Sequence, residues 1–208
     1  AQQVKYLEKL QAHLEQGLSV RSFPRATEAE RDLLGEIQFL TDKPVLYLCN
    51  VEEAAAKTGN DWVPRVQAAV ADEGAEVIFL AAATEADIAE LETYEERQLF
   101  LDDLELEEPG MNRVVRAAYD LLDLHTYFTA GPKEVKAWTI GKGFTAPQAA
   151  GVIHTDFEKG FIRAEVIPYR IYATYGSEAA VREAGKMQVE GKEYRVQDGD
   201  VMHFRFNV

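Results

Sequence analysis

Asn50 and Glu53 end the stretch KPVLYLCNVEE, residues 43–53. Val45, Leu46, Tyr47, Leu48 and Cys49 form an apolar run; then an amide appears, and carboxylates follow at Glu52 and Glu53. The run predicts a buried strand over 44–49. Ligands of open parallel α/β sheets bind beyond the carboxyl ends of the strands, which is where Asn50 and Glu53 fall. An amide offers a donor beside an acceptor, and a carboxylate accepts from amines. Both groups suit the polar edge of a purine base.

Guanine-reading GTPases place Asn-Lys-x-Asp at such a strand end. The Asp accepts two hydrogen bonds from guanine, the Asn touches the ring edge, and the Lys stem covers the base face. Here Val51 stands for the lysine and Glu53 for the aspartate. Glutamate is one methylene longer and misplaces a two-bond clamp on guanine, and a mismatched hydrogen-bonding site discriminates strongly. Adenine presents an amine beside a ring-nitrogen acceptor, which the Asn50 amide can meet with two bonds, while Val51 packs on the ring. These residues predict ATP binding at least as good as GTP binding. A second apolar run, EVIFLAA at 76–82, leads to Ala81 and Ala82, where GTPases carry a Ser-Ala motif. The backbone N–H of Ala82 can still face a base. The plainer reading, in which Asn50 caps a loop and the alanines only pack, stands beside this one.

Several elements must hold these strand ends. Val4, Leu7, Leu10 and Leu14 predict a helix over 3–16 closed by Gly17, with His13 off the stripe and solvated. Thr27 with Glu30 has the capping-box pattern and opens a helix through Leu33, Leu34, Ile37 and Leu40. Residues 61–72 read as a helix with Trp62, Val66, Ala69 and Val70 on one side. Thr84 is expected to cap a helix starting at Glu85. An acidic short helix and turn follow at 95–108, then an amphipathic helix over 111–124. Apolar strands joined by helices imply a parallel sheet covered on both faces. Beyond residue 125 the texture changes. YFTA, EVKAWTI, FIRAEVI, KEYRV and DVMHFRFNV read as short alternating strands separated by Gly, Pro and Asp-Gly turns, with a helical turn or two at 146–152. This predicts an α+β roll of ubiquitin-like size. In its last strand Met202, Phe204, Phe206 and Val208 share one face.

Charge follows the same division. Of 22 Lys+Arg and 36 Asp+Glu, residues 1–125 hold 11 and 26, or −15, and residues 126–208 hold 11 and 10, or +1. The acidic part is a poor general binder of nucleic acid. Lys133, Lys136, Lys142, Lys159 and Arg163 form the best basic cluster for a partner, with plain surface solvation as the alternative. His154, Asp156 and Glu158 alternate in HTDFE, but one nitrogen and two acids make a poor metal set; a turn is expected there, and no metal site is assigned. His125 and His203 read as partly exposed, Trp138 as core, and the single cysteine, Cys49, as a buried inert thiol. No apolar run reaches the roughly 18 residues that span a membrane. No signal segment opens the chain, and the missing initiator Met leads us to expect a start inside a longer protein.

KPVLYLCNVEE, KEVKAWTIGKGFTAPQAAGVIHTDFEKGFIRAEVI and EGKEYRVQDGDVMHFRFNV together resemble the YchF/Obg-like ATPase family, a branch of the Obg-related P-loop NTPases. The resemblance implies three parts: 1–26 as the returning arm of a helical coiled-coil insertion, 27–125 as the C-terminal part of the G domain, and 126–208 as a β-grasp-like TGS domain. It implies hydrolysis of ATP, or GTP less selectively, with Mg²⁺, by a cytoplasmic, monomeric protein that meets the ribosome or ribosomal RNA. Asn50, Val51, Glu53 and Ala82 would contact the base. No G-x-x-x-x-G-K-[ST] loop occurs in these 208 residues, so no catalytic residue and no Mg²⁺ ligand is assigned, and this segment alone is expected to be inactive. A rival reading makes the chain a non-enzymatic adaptor whose last 83 residues bind RNA or protein.

Overall fold

A computed structural model describes residues 2–131 and 134–207. They fall into two compact units, Ala1–Leu121 and Leu122–Val208.

The first unit opens with α1 (Gln2–Glu15) and α2 (Glu28–Ile37). Tyr6, Leu7, Leu10 and Leu14 of α1 pack with Val20, Phe23 and the Leu33–Leu34 pair of α2. Thr27 and Glu30 form the expected capping box. The second helix stops before Leu40, because Gln38 turns left-handed at φ 57°; Leu40 is 85% exposed. His13, expected to be solvated, is half-buried. Its ring lies 5.2 Å from that of Phe23, and its Nε2 is 3.0 Å from the Ser19 carbonyl oxygen.

β1 (Leu46–Asn50) pairs in parallel with β2 (Glu76–Leu80), from Leu46 opposite Glu76 to Asn50 opposite Leu80. The cover is thinner than the sequence predicts. Leu48 is 48% exposed, and among the described residues β1 has one strand neighbour. Between the strands lies α3 (Trp62–Ala69), which buries Val63 rather than Trp62. The Asn60 side-chain oxygen accepts from the Trp62 N–H and fixes the helix start. That phase turns Val63 toward Val51, Ala55 and Ala56. After β2 come α4 (Ala82–Glu90), α5 (Tyr94–Asp103) and α6 (Gly110–Leu121). Thr84 does not cap α4; it lies buried inside the first turn, and Ala81 takes the cap position. The Thr93–Glu96 capping box of α5 went unread in the sequence.

The second unit is a five-stranded mixed sheet. Its strands are β3 (Leu124–Ala130), β4 (Val135–Gly141), β5 (Phe161–Pro168), β6 (Gln188–Glu190) and β7 (Asp200–Phe206). They lie in the order β4-β3-β7-β5-β6, with β3 and β7 parallel and the other neighbours antiparallel. α7 (Ala146–Ile153) and α8 (Thr155–Lys159) cover one face, where Ala149 and Ala150 meet Tyr127, Ala164, Val166, Met202 and Phe204. Burial raises the Tyr127 phenol above its usual range, and its hydroxyl donates to the Ala149 carbonyl oxygen at 2.9 Å. Met202 and Phe204 face this core as expected, and Phe206 stacks on Phe157 at 3.8 Å; Val208 lies outside the described residues.

One strand expected in this unit needs correction. KEYRV is no strand; Arg195 makes a single isolated bridge to Thr145. The turn expected at HTDFE is the short helix α8, with His154 Nδ1 accepting from the Asp156 N–H at its start, and it leads into β5. The region between β5 and β6 forms two helices, α9 (Tyr169–Tyr175) and α10 (Glu178–Glu183). They bury Val181 against Ile167 and Val201 on the other sheet face.

Candidate functional site

The parallel pairing of β1 and β2 brings their carboxyl ends side by side. Asn50 ends β1, and its Oδ1 accepts from the backbone N–H of Ala82 at 3.0 Å. A backbone N–H only donates, so this contact sets the amide's orientation: oxygen toward Ala82, nitrogen free to donate elsewhere. The two-bond use of the Asn50 amide expected from the sequence is therefore reduced to its NH₂ group and one remaining oxygen lone pair. One residue on, the Val51 N–H donates to the Leu80 carbonyl oxygen at 2.9 Å. The two strand ends are thus joined by a side-chain bond and a main-chain bond.

Val51 points inward. It is buried with Ala55, Ala56, Val63 and Ala81, so its side chain supports the loop from beneath. The two acids separate in role. Glu52 accepts from the Asn60 side-chain amide at 3.0 Å. A backbone hydrogen bond, together with that from Asn60, holds its carboxyl below the usual range. Glu53 opens a short 3₁₀ turn, Glu53–Ala55, and its exposed carboxylate makes no hydrogen bond or ion pair among the described residues. A cleft of about 390 Å³ runs beside Asn50 between β1 and α3, lined by Leu48, Cys49, Asn60, Trp62 and Val66. Cys49 is partly rather than fully buried.

The sequence missed two side chains that hold this loop. Glu85 of α4 accepts from the N–H groups of Gly110 and Met111 at the start of α6, at 2.6 and 3.1 Å. Arg113 of α6 donates to the Phe79 carbonyl oxygen at 3.0 Å. Neither contact leaves a periodic mark, since the partners lie 25 or more residues apart.

Of the basic cluster, Lys136 and Arg163 fall on opposite faces of the sheet. Lys133 lies outside the described residues. Lys136 covers the Trp138 ring at 4.0 Å and, opposite Thr129, shares the sheet face of Tyr127. Arg163 is opposite Arg205 on the other face, since its neighbour Ala164 is in the Tyr127 core. Lys142 sits in the turn after β4 and Lys159 ends α8. Trp138 is only half-buried, its indole N–H donating to Thr129 Oγ1.

Residues 124–207 match the family model YchF-GTPase_C, described as a protein of unknown function (DUF933). The "Ribosome-binding ATPase YchF" of Haemophilus influenzae is 52% identical over 206 residues, which cover 99% of this chain and 56% of that protein. A solved YchF GTPase from Schizosaccharomyces pombe superposes with a TM-score of 0.83 at 34% identity, over 98% of this chain and 54% of that one. The chain belongs to the YchF family. The "Obg-like ATPase 1" of Gallus gallus is also similar, 43% identical over 91% of this chain and 48% of its own length. The chain therefore spans about half the length of the YchF relatives it matches. In YchF terms, the site built from Asn50, Ala82 and Glu53 lies in the part that precedes the residues matched by the family model.

Proposed function

We propose that this chain is the C-terminal part of a nucleotide hydrolase that acts on ATP, and less selectively on GTP, with Mg²⁺. The observation that carries the proposal is the Asn50–Ala82 bond at the carboxyl ends of two parallel strands, the position where α/β sheets receive ligands. In this reading the Asn50 NH₂ donates to a ring nitrogen of the base, and Glu53 accepts from the exocyclic amine. Guanine presents a carbonyl oxygen where adenine has that amine, so Glu53 favours adenine. Val51 acts from beneath, as packing. The described residues hold no group of three or more His, Cys, Asp or Glu side chains fit for a metal ion, and no Mg²⁺ ligand is assigned to them.

The second unit, in this proposal, is a TGS domain of the β-grasp kind that docks on the ribosome. Its strand order and central parallel pair support that reading, as do the names of the relatives. Such a protein works in the cytoplasm. Among the described residues no helix is long and apolar enough to cross a membrane.

The test uses the complete protein and its Asn50→Ala variant. Titration with a fluorescent ATP analogue should show about tenfold weaker binding in the variant, as expected for losing a hydrogen bond and the loop tether it depends on. Unchanged affinity, or strong GTP preference in the unmodified protein, would overturn the assignment.

A further inference from the structure

The loop Leu80–Ala82 is gripped from two sides. From β1 come the Asn50 and Val51 bonds already described. From the other side comes α6. The Glu85 backbone N–H donates to the Ala81 carbonyl oxygen as part of α4, but its carboxylate leaves that helix. Both oxygens are spent on α6, one on the Gly110 N–H and one on the Met111 N–H. First-turn N–H groups of a helix have no partner within it, and a carboxylate there also answers the helix dipole. Glu85 therefore caps α6 from another helix.

Gly110 makes the approach possible. A Cβ at this position would lie 2.8 Å from Leu80 Cβ and 2.9 Å from Glu85 Oε1. One turn further along α6, Arg113 donates to the Phe79 carbonyl oxygen, and its guanidinium lies 5.2 Å from the Phe79 ring centre. Helix α6 thus touches three consecutive points at the end of β2: the Phe79 carbonyl, the Leu80 side chain and, through Glu85, the first turn of α4. The Ala82 N–H that meets Asn50 lies between them.

From this geometry we infer that Glu85 and Arg113 are positioning residues for the base-reading loop: they hold Leu80–Ala82 where Asn50 can meet it, without touching the nucleotide themselves. The inference rests on the base-site reading above and names what sets that site's selectivity. It separates base binding from phosphate binding. Without the clamp the loop is free to shift, and the base contacts weaken. Binding of the triphosphate alone has no stake in the loop.

The complete protein, Glu85→Ala, Arg113→Met and Asn50→Ala are compared in two titrations, one with ATP and one with inorganic tripolyphosphate, each with Mg²⁺. Both clamp variants should bind ATP about tenfold more weakly, the loss expected for a cap or a charged hydrogen bond, and bind tripolyphosphate unchanged. Their ATP-to-GTP affinity ratio should fall toward one. Glu85→Gln, which keeps the shape and one acceptor oxygen, should lie between the wild type and Glu85→Ala; it serves as the readout if the alanine variant does not fold. Equal losses for ATP and tripolyphosphate would mark the clamp as general scaffolding and overturn the inference. So would unchanged ATP binding in the clamp variants while Asn50→Ala is impaired. If Asn50→Ala itself binds ATP normally, the base-site reading fails, and the inference with it.

Discussion

At the scale of single residues, Asn50 and Val51 show what a strand-end pattern can and cannot say. That Asn50 and Ala82 end up side by side was readable, because two apolar runs in a βαβ arrangement place their ends together; the bond between them was not, since the Ala82 N–H expected to face a base is spent on Asn50 Oδ1. The direction of Val51 was not readable either. A residue just past a strand can turn out toward a ligand or in toward the core, and here the 3₁₀ turn and Val63 draw it inward. This changes what a swap to the GTPase pattern would do. Val51→Lys places an ammonium among Ala55, Ala56 and Val63 and should cost about 2–4 kcal/mol, as unpaired buried charges do. Glu53→Asp is exposed and should change stability by less than about 0.5 kcal/mol. Urea denaturation of the two variants measures the contrast. Equal, small effects would mean that Val51 faces outward after all.

Among the elements, the long ones were legible and the short ones were not. α1, α2 and α6 carry enough turns for their stripes to register, and β1, β2, β5 and β7 carry enough apolar residues. α8, α9 and α10 have five, seven and six residues, too few for a period to show, and β6 has three. These pieces are fixed by tertiary contacts instead. One such contact joins β5, β7 and α10 on the sheet face opposite Tyr127. Glu165 of β5 meets Arg205 of β7 at 3.1 Å and Arg182 of α10 at 3.5 Å. Burial pushes the Glu165 carboxyl up, but the Arg205 hydrogen bond and the charges of Arg205, Arg182 and His203 outweigh it, and the net shift is downward. A carboxyl held low in the folded state stabilises fully above its unfolded pKa, about 4.3 for glutamate. That contribution is lost as pH falls through the lower folded value. Removing the partners with Arg205→Met should therefore destabilise the second unit at pH 7, and the difference from wild type should shrink in strong acid. Thermal melts at pH 7 and pH 3 check this; a gap that widens in acid would contradict the ladder's role.

For the whole molecule the decisive feature is the division of charge, −15 over residues 1–125 and +1 over 126–208. These 208 residues carry a net charge of −14 and repel RNA at long range, so under the proposed docking on the ribosome this part must rely on short-range contacts. Lys136 and Arg163 lie on opposite sheet faces, so these two do not share one basic patch. Salt then acts in two opposite ways. It weakens whatever phosphate contacts the second unit makes, through counterion release. It also screens the repulsion from the acidic unit, since the Debye length shrinks from about 30 Å at 0.01 M to about 8 Å at 0.15 M. The two effects should partly cancel in the complete protein and flatten its salt dependence. Glu92, Glu95, Asp103 and Glu107 are exposed carboxylates on or beside α5. Changing all four to their amides moves the net charge from −14 to −10 and removes part of the repulsion while sparing the second unit. Ribosome co-sedimentation of this variant should be tighter than wild type at low salt, and should fall more steeply as salt rises. The two curves should converge above about 0.3 M, where exposed charges are screened within a few ångströms. Parallel curves for the two proteins would mean that the acidic unit contributes no repulsion, and that the charge asymmetry has no part in how the molecule meets its partner.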